Sequence, residues 1–238
     1  MTHKTLRGKI LYTSKKPDRM DQERGREYFI LTEQSDGTSV LHAHCEIDDA
    51  PDVIRDVSCA FETATMKPID ASVRISVGGR FEGSGWFKFN KSSSTCEMFN
   101  HRDGRISQTL DHDGPISWFG HHAIFNDGSL SRFFPLDAKP GKRAMTNVMM
   151  SSPDHRGATG PLLYPMKFSV VYDKDETITV GAGTFDARKF LITDTAGNLP
   201  EEHPPYEMWC TRDARGLFLQ GGVGGYMMTW YELVELET

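Results

Sequence analysis

Short runs in which apolar and polar residues alternate recur along this chain, and they constrain its fold more than any other feature. In residues 71–77 every second side chain is apolar, and the residues between them are Ser, Arg and Ser. Side chains on a β-strand point to opposite faces in turn, so this period of two predicts a strand with one buried face. Gly78-Gly79 then predicts a tight hairpin turn of the primed type, and residues 80–90 resume the alternation.

About a dozen such runs, separated by turn residues, predict an all-β sandwich or barrel. The 238 residues can form one domain of this class. We therefore expect a single domain over residues 1–238, built as one strongly curved antiparallel sheet or an open lipocalin-like β-barrel around an apolar cavity. Residues 135–165 break the alternation with five prolines and three glycines, which predicts a long loop or lid over the barrel.

Charge and motif content exclude several classes of function. The formal net charge is −6 and the basic residues form no block, so we expect neither a nucleic-acid nor a membrane partner. No N-terminal export signal is recognisable, which favours a cytoplasmic location. Without export, the four widely spaced cysteines are predicted to be reduced and mostly buried. The glycine-rich run 221–225 lacks the strand-then-helix context of a dinucleotide site, and we expect no cofactor.

Residues 118–134, read as WFGHHAIFNDGSLSRFF, bring together aromatic rings, two histidines, an acid and an arginine. On a strand His121 and His122 would face opposite ways, so one of them could enter a cavity as a general base. Asp127 could orient that base or could simply cap the turn in which it lies. Arg132 could stabilise an anionic oxygen or could form a surface ion pair.

The predicted lid contributes two further candidates, His155 as an alternative base and Tyr164 as an alternative stabiliser of negative charge. A solvated loop is the competing interpretation of both. His42 and His44 share one face of a predicted strand, a spacing that could hold a metal ion, although no third ligand is evident nearby. The predicted ligand-packing residues are three tryptophans, one phenylalanine and one histidine: Trp86, Trp118, Trp209, Phe133 and His121.

Three short segments carry a family resemblance: Gly181-Ala182-Gly183-Thr184-Phe185, Tyr206-Glu207-Met208-Trp209-Cys210-Thr211-Arg212-Asp213 and Tyr231-Glu232-Leu233-Val234-Glu235-Leu236. They resemble a group of uncharacterised, usually exported bacterial β-rich proteins whose curved sheet is similar to lipocalin-like barrels and the half-barrels of lipoprotein carriers. The resemblance covers about a quarter of the chain. It implies the curved-sheet fold and assigns no catalytic residue.

Three functional hypotheses follow. The first is a cofactor-independent enzyme, a lyase, isomerase or cyclase, that transfers a proton on a small hydrophobic organic molecule bound in the barrel. The second is a carrier or binding protein for a lipid or aromatic ligand, without chemistry. The third is a metal-dependent barrel enzyme using His42 and His44. Unpaired sheet edges could also support a homodimer.

Overall fold

The computed structural model describes residues 3–195 and 203–238. Within these residues fifteen strands form one continuous, strongly curved sheet that does not close on itself. The strands are β1 His3–Ser14, β2 Glu23–Gln34, β3 Thr38–Ile47, β4 Val53–Glu62, β5 Pro68–Val77, β6 Arg80–Phe89, β7 Ser93–Asn100, β8 Gly104–Asp111, β9 Trp118–Gly120, β10 Gly141–Met150, β11 Tyr164–Val180, β12 Gly183–Thr193, β13 Tyr206–Thr211, β14 Phe218–Val223 and β15 Thr229–Glu237.

The spatial order of the strands is β8-β7-β6-β5-β4-β3-β2-β1-β15-β14-β13-β12-β11-β10-β9. Nearly every strand is therefore antiparallel to its neighbour in the sequence, while β9 pairs with β10 in parallel. The first and last strands meet in the middle, where β1 pairs with β15 from Arg7↔Glu237 to Ser14↔Thr229. We call this pairing the central seam. It joins two meanders, each built from consecutive hairpins.

The all-β class and the single curved, open sheet are confirmed. The alternation predicted β3 with the bounds that the structure has. Gly78 and Gly79 have φ values of 59° and 70°, as the predicted primed turn between β5 and β6 requires. The cysteines Cys45, Cys59, Cys96 and Cys210 are free and buried, as expected.

The region predicted as one long loop, residues 135–165, instead contains strand β10. The alternation there is hidden by an irregularity in the pairing with β11 between Met145 and Val148. Asn147, within that irregularity, has a φ of 53°. A bulge adds residues to one strand and shifts the facing of those that follow, so the period of two is lost in the sequence. The parts of the predicted lid that remain loops are residues 135–140 and 151–163.

A short helix, α1 (Ile124–Asp127), and a 3-10 helix (Gly128–Phe133) follow β9 and fill the inside of the curl. Phe125 of α1 stacks on Phe29 of β2, with ring centroids 3.8 Å apart. The helices in the described ranges have six residues or fewer, and none has the length and apolar character needed to cross a bilayer. The core therefore lies between the inner face of the sheet and these central segments.

Candidate functional site

A cavity of about 370 Å³ lies inside the curl and is lined from both sides of the central seam. Its apolar lining comes from β9, the 3-10 helix, β11 and β14: Trp118, Leu130, Met166, Phe168 and Val223. Five of its charged lining residues form one group linked by hydrogen bonds and ion pairs: Arg19, Arg24, Asp49, Arg55 and Arg156. We call it the central cavity. Its size and mixed lining are typical of small-molecule sites.

A buried carboxylate positions the helix that borders this cavity. Glu27 of β2 is fully buried and accepts hydrogen bonds from the backbone N–H of Ile124 at 2.6 Å and of Phe125 at 3.0 Å. Tyr12 of β1 donates its hydroxyl to the same carboxylate at 2.9 Å. Burial raises the pKa of Glu27, and the two backbone donors oppose that shift. Glu27 thus ties the first residues of α1 to the sheet.

His122 lines the central cavity. It has a φ of 61°, and its Nε2 lies 3.2 Å from the carbonyl oxygen of Ser152. A carbonyl can only accept, so Nε2 carries the hydrogen and Nδ1 of the neutral ring keeps a lone pair. Burial, followed by the charge of Arg55, lowers the pKa of His122 to about 3. The ring is therefore neutral at ordinary pH.

His121 lies outside the lining of the central cavity, in the core beside Phe119. Its side chain is fully buried, and neither ring nitrogen has a hydrogen-bond partner in the part of the chain that the structure describes. Burial lowers its pKa to about 3. Of the two adjacent histidines only His122 lines the central cavity, and both lie beyond the end of β9 rather than on a strand.

Asp127 also lines the central cavity, together with the hydroxyl-bearing ring of Tyr206. Burial, and then the charge of Glu27, raises the pKa of Asp127 well above its ordinary value. The Tyr206 hydroxyl is buried beside the Asp127 carboxyl, and its interaction with that carboxyl opposes the rise in the pKa of Asp127. Across residues 3–195 and 203–238, no hydrogen bond joins Asp127 to His122 or to His155. No hydrogen bond in the structure supports the predicted orienting role of Asp127, and any role in catalysis stays a prediction.

His155, on the loop 151–163, lines the same cavity. Its ring packs edge-on against Tyr226 with centroids 5.8 Å apart, and its Nδ1 lies 3.9 Å from Asp154. Four of the predicted site residues are thus brought together around one cavity: Trp118, His122, Asp127 and His155. Their roles in binding or catalysis stay predictions.

The other predicted site residues lie elsewhere. Arg132 donates to the Thr63 carbonyl at 2.6 Å and borders a separate cavity of about 30 Å³. Trp86 is 47% exposed on the outer face of the sheet. The indole of Trp209 donates to Glu176 at 2.7 Å. His121, Phe133 and Tyr164 are also absent from the lining of the central cavity. The Phe133 ring lies 5.5 Å from the Arg143 guanidinium, and Tyr164 begins β11.

The predicted metal pair lies on the outer face of β3. His44 Nδ1 is 2.6 Å from Asp56 and its Nε2 is 3.2 Å from Glu46, and the hydrogen bond to Asp56 raises the pKa of His44. No group of three or more potential metal ligands occurs in the described ranges. His44 is thus engaged by two neighbouring carboxylates.

The sequence reasoning missed Arg55, which is 2% exposed and lines the central cavity. Its Nη1 donates to the His122 carbonyl at 2.8 Å, and its Nη2 donates to the Arg156 carbonyl. The signal was present in β4, where Val53, Arg55 and Val57 share the apolar face of a cleanly alternating run. A charged residue in the middle of such a face is rarely buried without a specific partner.

Comparison with known proteins supplies a fold and no activity. No family model matches the chain, and no curated protein does. Among solved structures, the chain is similar to a β-barrel-like protein of the domain of unknown function DUF1849 from Brucella abortus, with a TM-score of 0.57 and 11% sequence identity. The match covers 99% of this chain and 96% of that chain. The chain thus has the fold of an uncharacterised bacterial β-rich protein.

Proposed function

We propose that this protein binds a small, mostly apolar organic molecule in the central cavity, in the manner of a lipocalin-like carrier. The observation that carries the proposal is the lining itself. Trp118, Met166 and Phe168 line the cavity together with charged and hydroxyl-bearing side chains. Such a mixed lining suits a ligand with an apolar body and one polar end.

A neutral probe with a filled-cavity variant tests this proposal. N-phenyl-1-naphthylamine, whose fluorescence rises in apolar surroundings, is titrated into wild-type protein, Val223→Trp and Ile54→Trp. Val223 lines the cavity, whereas Ile54 is 38% exposed on the outer face. We expect saturable binding by wild type and Ile54→Trp, and a loss of about tenfold or more in affinity for Val223→Trp, equivalent to about 1.4 kcal/mol.

Circular dichroism establishes that each variant is folded, because overpacking a core site costs about 1–3 kcal/mol. If wild-type protein shows no saturable binding, the proposal fails. Equal affinity in a folded Val223→Trp variant also overturns it, because the probe would then bind outside the central cavity.

A second candidate is the cofactor-independent proton-transfer enzyme, a lyase, isomerase or cyclase. Asp127 favours it, because a buried carboxyl whose pKa is raised can hold a proton at a pH where an ordinary one cannot. The Tyr206 hydroxyl lies beside Asp127 and lines the same cavity, so it could donate to a developing oxyanion. His122 offers only the weakly basic Nδ1, so Asp127 replaces histidine as the proposed proton carrier.

Exchange of carbon-bound hydrogen tests this candidate. Simple ketones are incubated with the protein in D₂O, and deuterium incorporation is followed by NMR. We expect Asp127→Asn to reduce the exchange rate about 100-fold or more, in the range of one general acid–base group. Asp137→Asn, an exposed control, should leave it unchanged. Exchange at the same rate in Asp127→Asn would remove Asp127 from the mechanism, and no exchange by wild-type protein across a ketone panel would leave the carrier function alone.

A further inference from the structure

The least satisfied group at the central cavity is the Arg55 guanidinium. A guanidinium carries five N–H donors. In Arg55, Nη1 and Nη2 donate to backbone carbonyls, and the Cys45 thiol is a further side-chain contact. Its Nε is buried without a partner among the described residues. Within those residues no carboxylate oxygen comes within 4.0 Å of it. A buried cation in this state is costly unless something else supplies the negative charge.

The nearest carboxylate in the same row of the sheet cannot serve as that counter-charge. Glu27, Cys45 and Arg55 are aligned across β2, β3 and β4, so Glu27 lies two strands from Arg55. The Glu27 oxygens already accept from Tyr12, Cys45 and the backbone N–H of Ile124 and Phe125. These contacts fix the carboxylate in place, directed at α1.

Two further arginines repeat the pattern. Arg24 and Arg156 line the central cavity, and each has a buried Nε without a partner in the described residues. Arg24 shares Asp49 with Arg19, each at 2.5 Å, and Arg156 donates to the carbonyls of Asp49 and Pro51. Asp49 is thus the only carboxylate within ion-pair distance of these four arginines in the described ranges.

The lining of the central cavity carries an excess of positive charge. Five cationic side chains line the cavity, Lys16, Arg19, Arg24, Arg55 and Arg156, against three acids, Asp49, Asp127 and Asp154. The whole chain, by contrast, carries a formal net charge of −6. A local excess of positive charge in a concave, partly apolar site raises the local concentration of anions.

From these contacts we infer that the ligand of the central cavity is an organic carboxylate, whose anionic end is held by Arg55 with help from Arg24 and Arg156. The apolar body of the ligand lies against Trp118, Met166 and Phe168. A carboxylate fits because two parallel N–H···O bonds match the planar guanidinium fork. The inference rests on the proposed binding function and adds the chemical class of ligand.

Matched ligand pairs separate this inference from the binding function. Calorimetric titrations compare 2-naphthoate with 2-naphthylmethanol, and decanoate with 1-decanol, so that within each pair the apolar body is the same. We expect each carboxylate to bind about tenfold or more tightly than its alcohol, because charge-assisted hydrogen bonds to a desolvated arginine have no equivalent for a neutral ligand. Added NaCl should weaken only the carboxylates.

Variants assign the effect to Arg55. Arg55→Met should abolish the preference for the carboxylate while keeping affinity for the alcohol, and Arg55→Lys should keep part of the preference. Arg74→Met, on the exposed face of β5, is the matched control and should behave as wild type. Because Arg55 also holds two backbone carbonyls, Arg55→Met could unfold; the ligand pairs on wild-type protein then decide alone.

Equal affinity for both members of each pair would overturn the inference and leave the binding function intact. A carboxylate preference that survives in folded Arg55→Met protein would overturn the assignment to Arg55. If neither member of a pair binds and the neutral naphthylamine probe also fails, the binding function itself is wrong.

Discussion

The Glu27 carboxylate accepts a hydrogen bond of 2.6 Å from the backbone N–H of Ile124, 97 residues further along the chain. We predict that Glu27→Ala lowers the free energy of unfolding by about 3 kcal/mol. The substitution leaves the donors of Ile124, Phe125 and Tyr12 unmatched, and each buried unsatisfied group costs about 1–3 kcal/mol. Urea unfolding measures this loss. Tyr12→Phe, which removes one donor, should lose about 1 kcal/mol. A Glu27→Ala loss no larger than that of Tyr12→Phe would contradict the anchoring role.

Acid sensitivity should arise in part from His121. Its pKa is about 3 in the folded protein and about 6.5 in the unfolded chain. The unfolded chain therefore binds more protons between these values, and stability falls as the pH drops through this window. We predict that His121→Met, relative to wild type, gains about 2 kcal/mol between pH 8 and pH 5. Chemical unfolding at several pH values measures the difference. His3→Met, at an exposed position, should show no such trend, and a parallel pH profile in His121→Met would refute the prediction.

Asp127 should have the opposite dependence on pH. Burial and the charge of Glu27 raise its folded-state pKa well above 3.8, the ordinary value for an aspartate. As the pH rises past 3.8 the unfolded chain ionises first, which favours unfolding. We predict that Asp127→Asn is close to wild type in stability at pH 3.5 and becomes progressively more stable than wild type as the pH rises. Thermal melts from pH 3.5 to 8 measure the trend. Asp137→Asn is the control, and a constant difference across pH would rule out a raised pKa for Asp127.

The glycines of β6 should be intolerant of any side chain. A Cβ placed on Gly83 would lie 2.2 Å from the carbonyl oxygen of Gly160, which is rigid backbone. We predict that Gly83→Ala loses about 1–3 kcal/mol of stability, as overpacked core sites do. At Gly224 a Cβ would meet nothing within 4 Å, so Gly224→Ala should stay within about 0.5 kcal/mol of wild type. Similar urea midpoints for the two variants would show that the loop 151–163 moves away from the sheet at low cost.

The strands could be predicted well from the sequence, and the irregular segments could not. Alternation marks β3 and β5 because each has one buried and one solvated face. The alternation is lost at β10, where the irregularity between Met145 and Val148 changes the face of the sheet to which the following side chains point. Gly83 and Gly85 of β6 lie directly against Gly160 and Pro161, where a Cβ on either glycine would clash.

The site was harder to predict, for a physical reason. Clustering in sequence found His122 and Asp127, which lie on one segment beside the cavity. Arg55 and Glu27 lie on separate strands, and only the pairing of β2, β3 and β4 brings them into one row. In the sequence each resembles a surface charge. Arg132, by contrast, is near the cluster in sequence, but the 3-10 helix directs it to Thr63.

The central seam has a consequence for how the chain is made. During synthesis β1 can pair with β2 within the first 34 residues, whereas its other edge is matched only by β15, at residues 229–237. For most of translation, that edge of β1 exposes unpaired backbone groups, a template for strands of other nascent chains. Yield in the cell should therefore depend on how fast the ribosome delivers the second meander and on the chaperones that shield β1 until then.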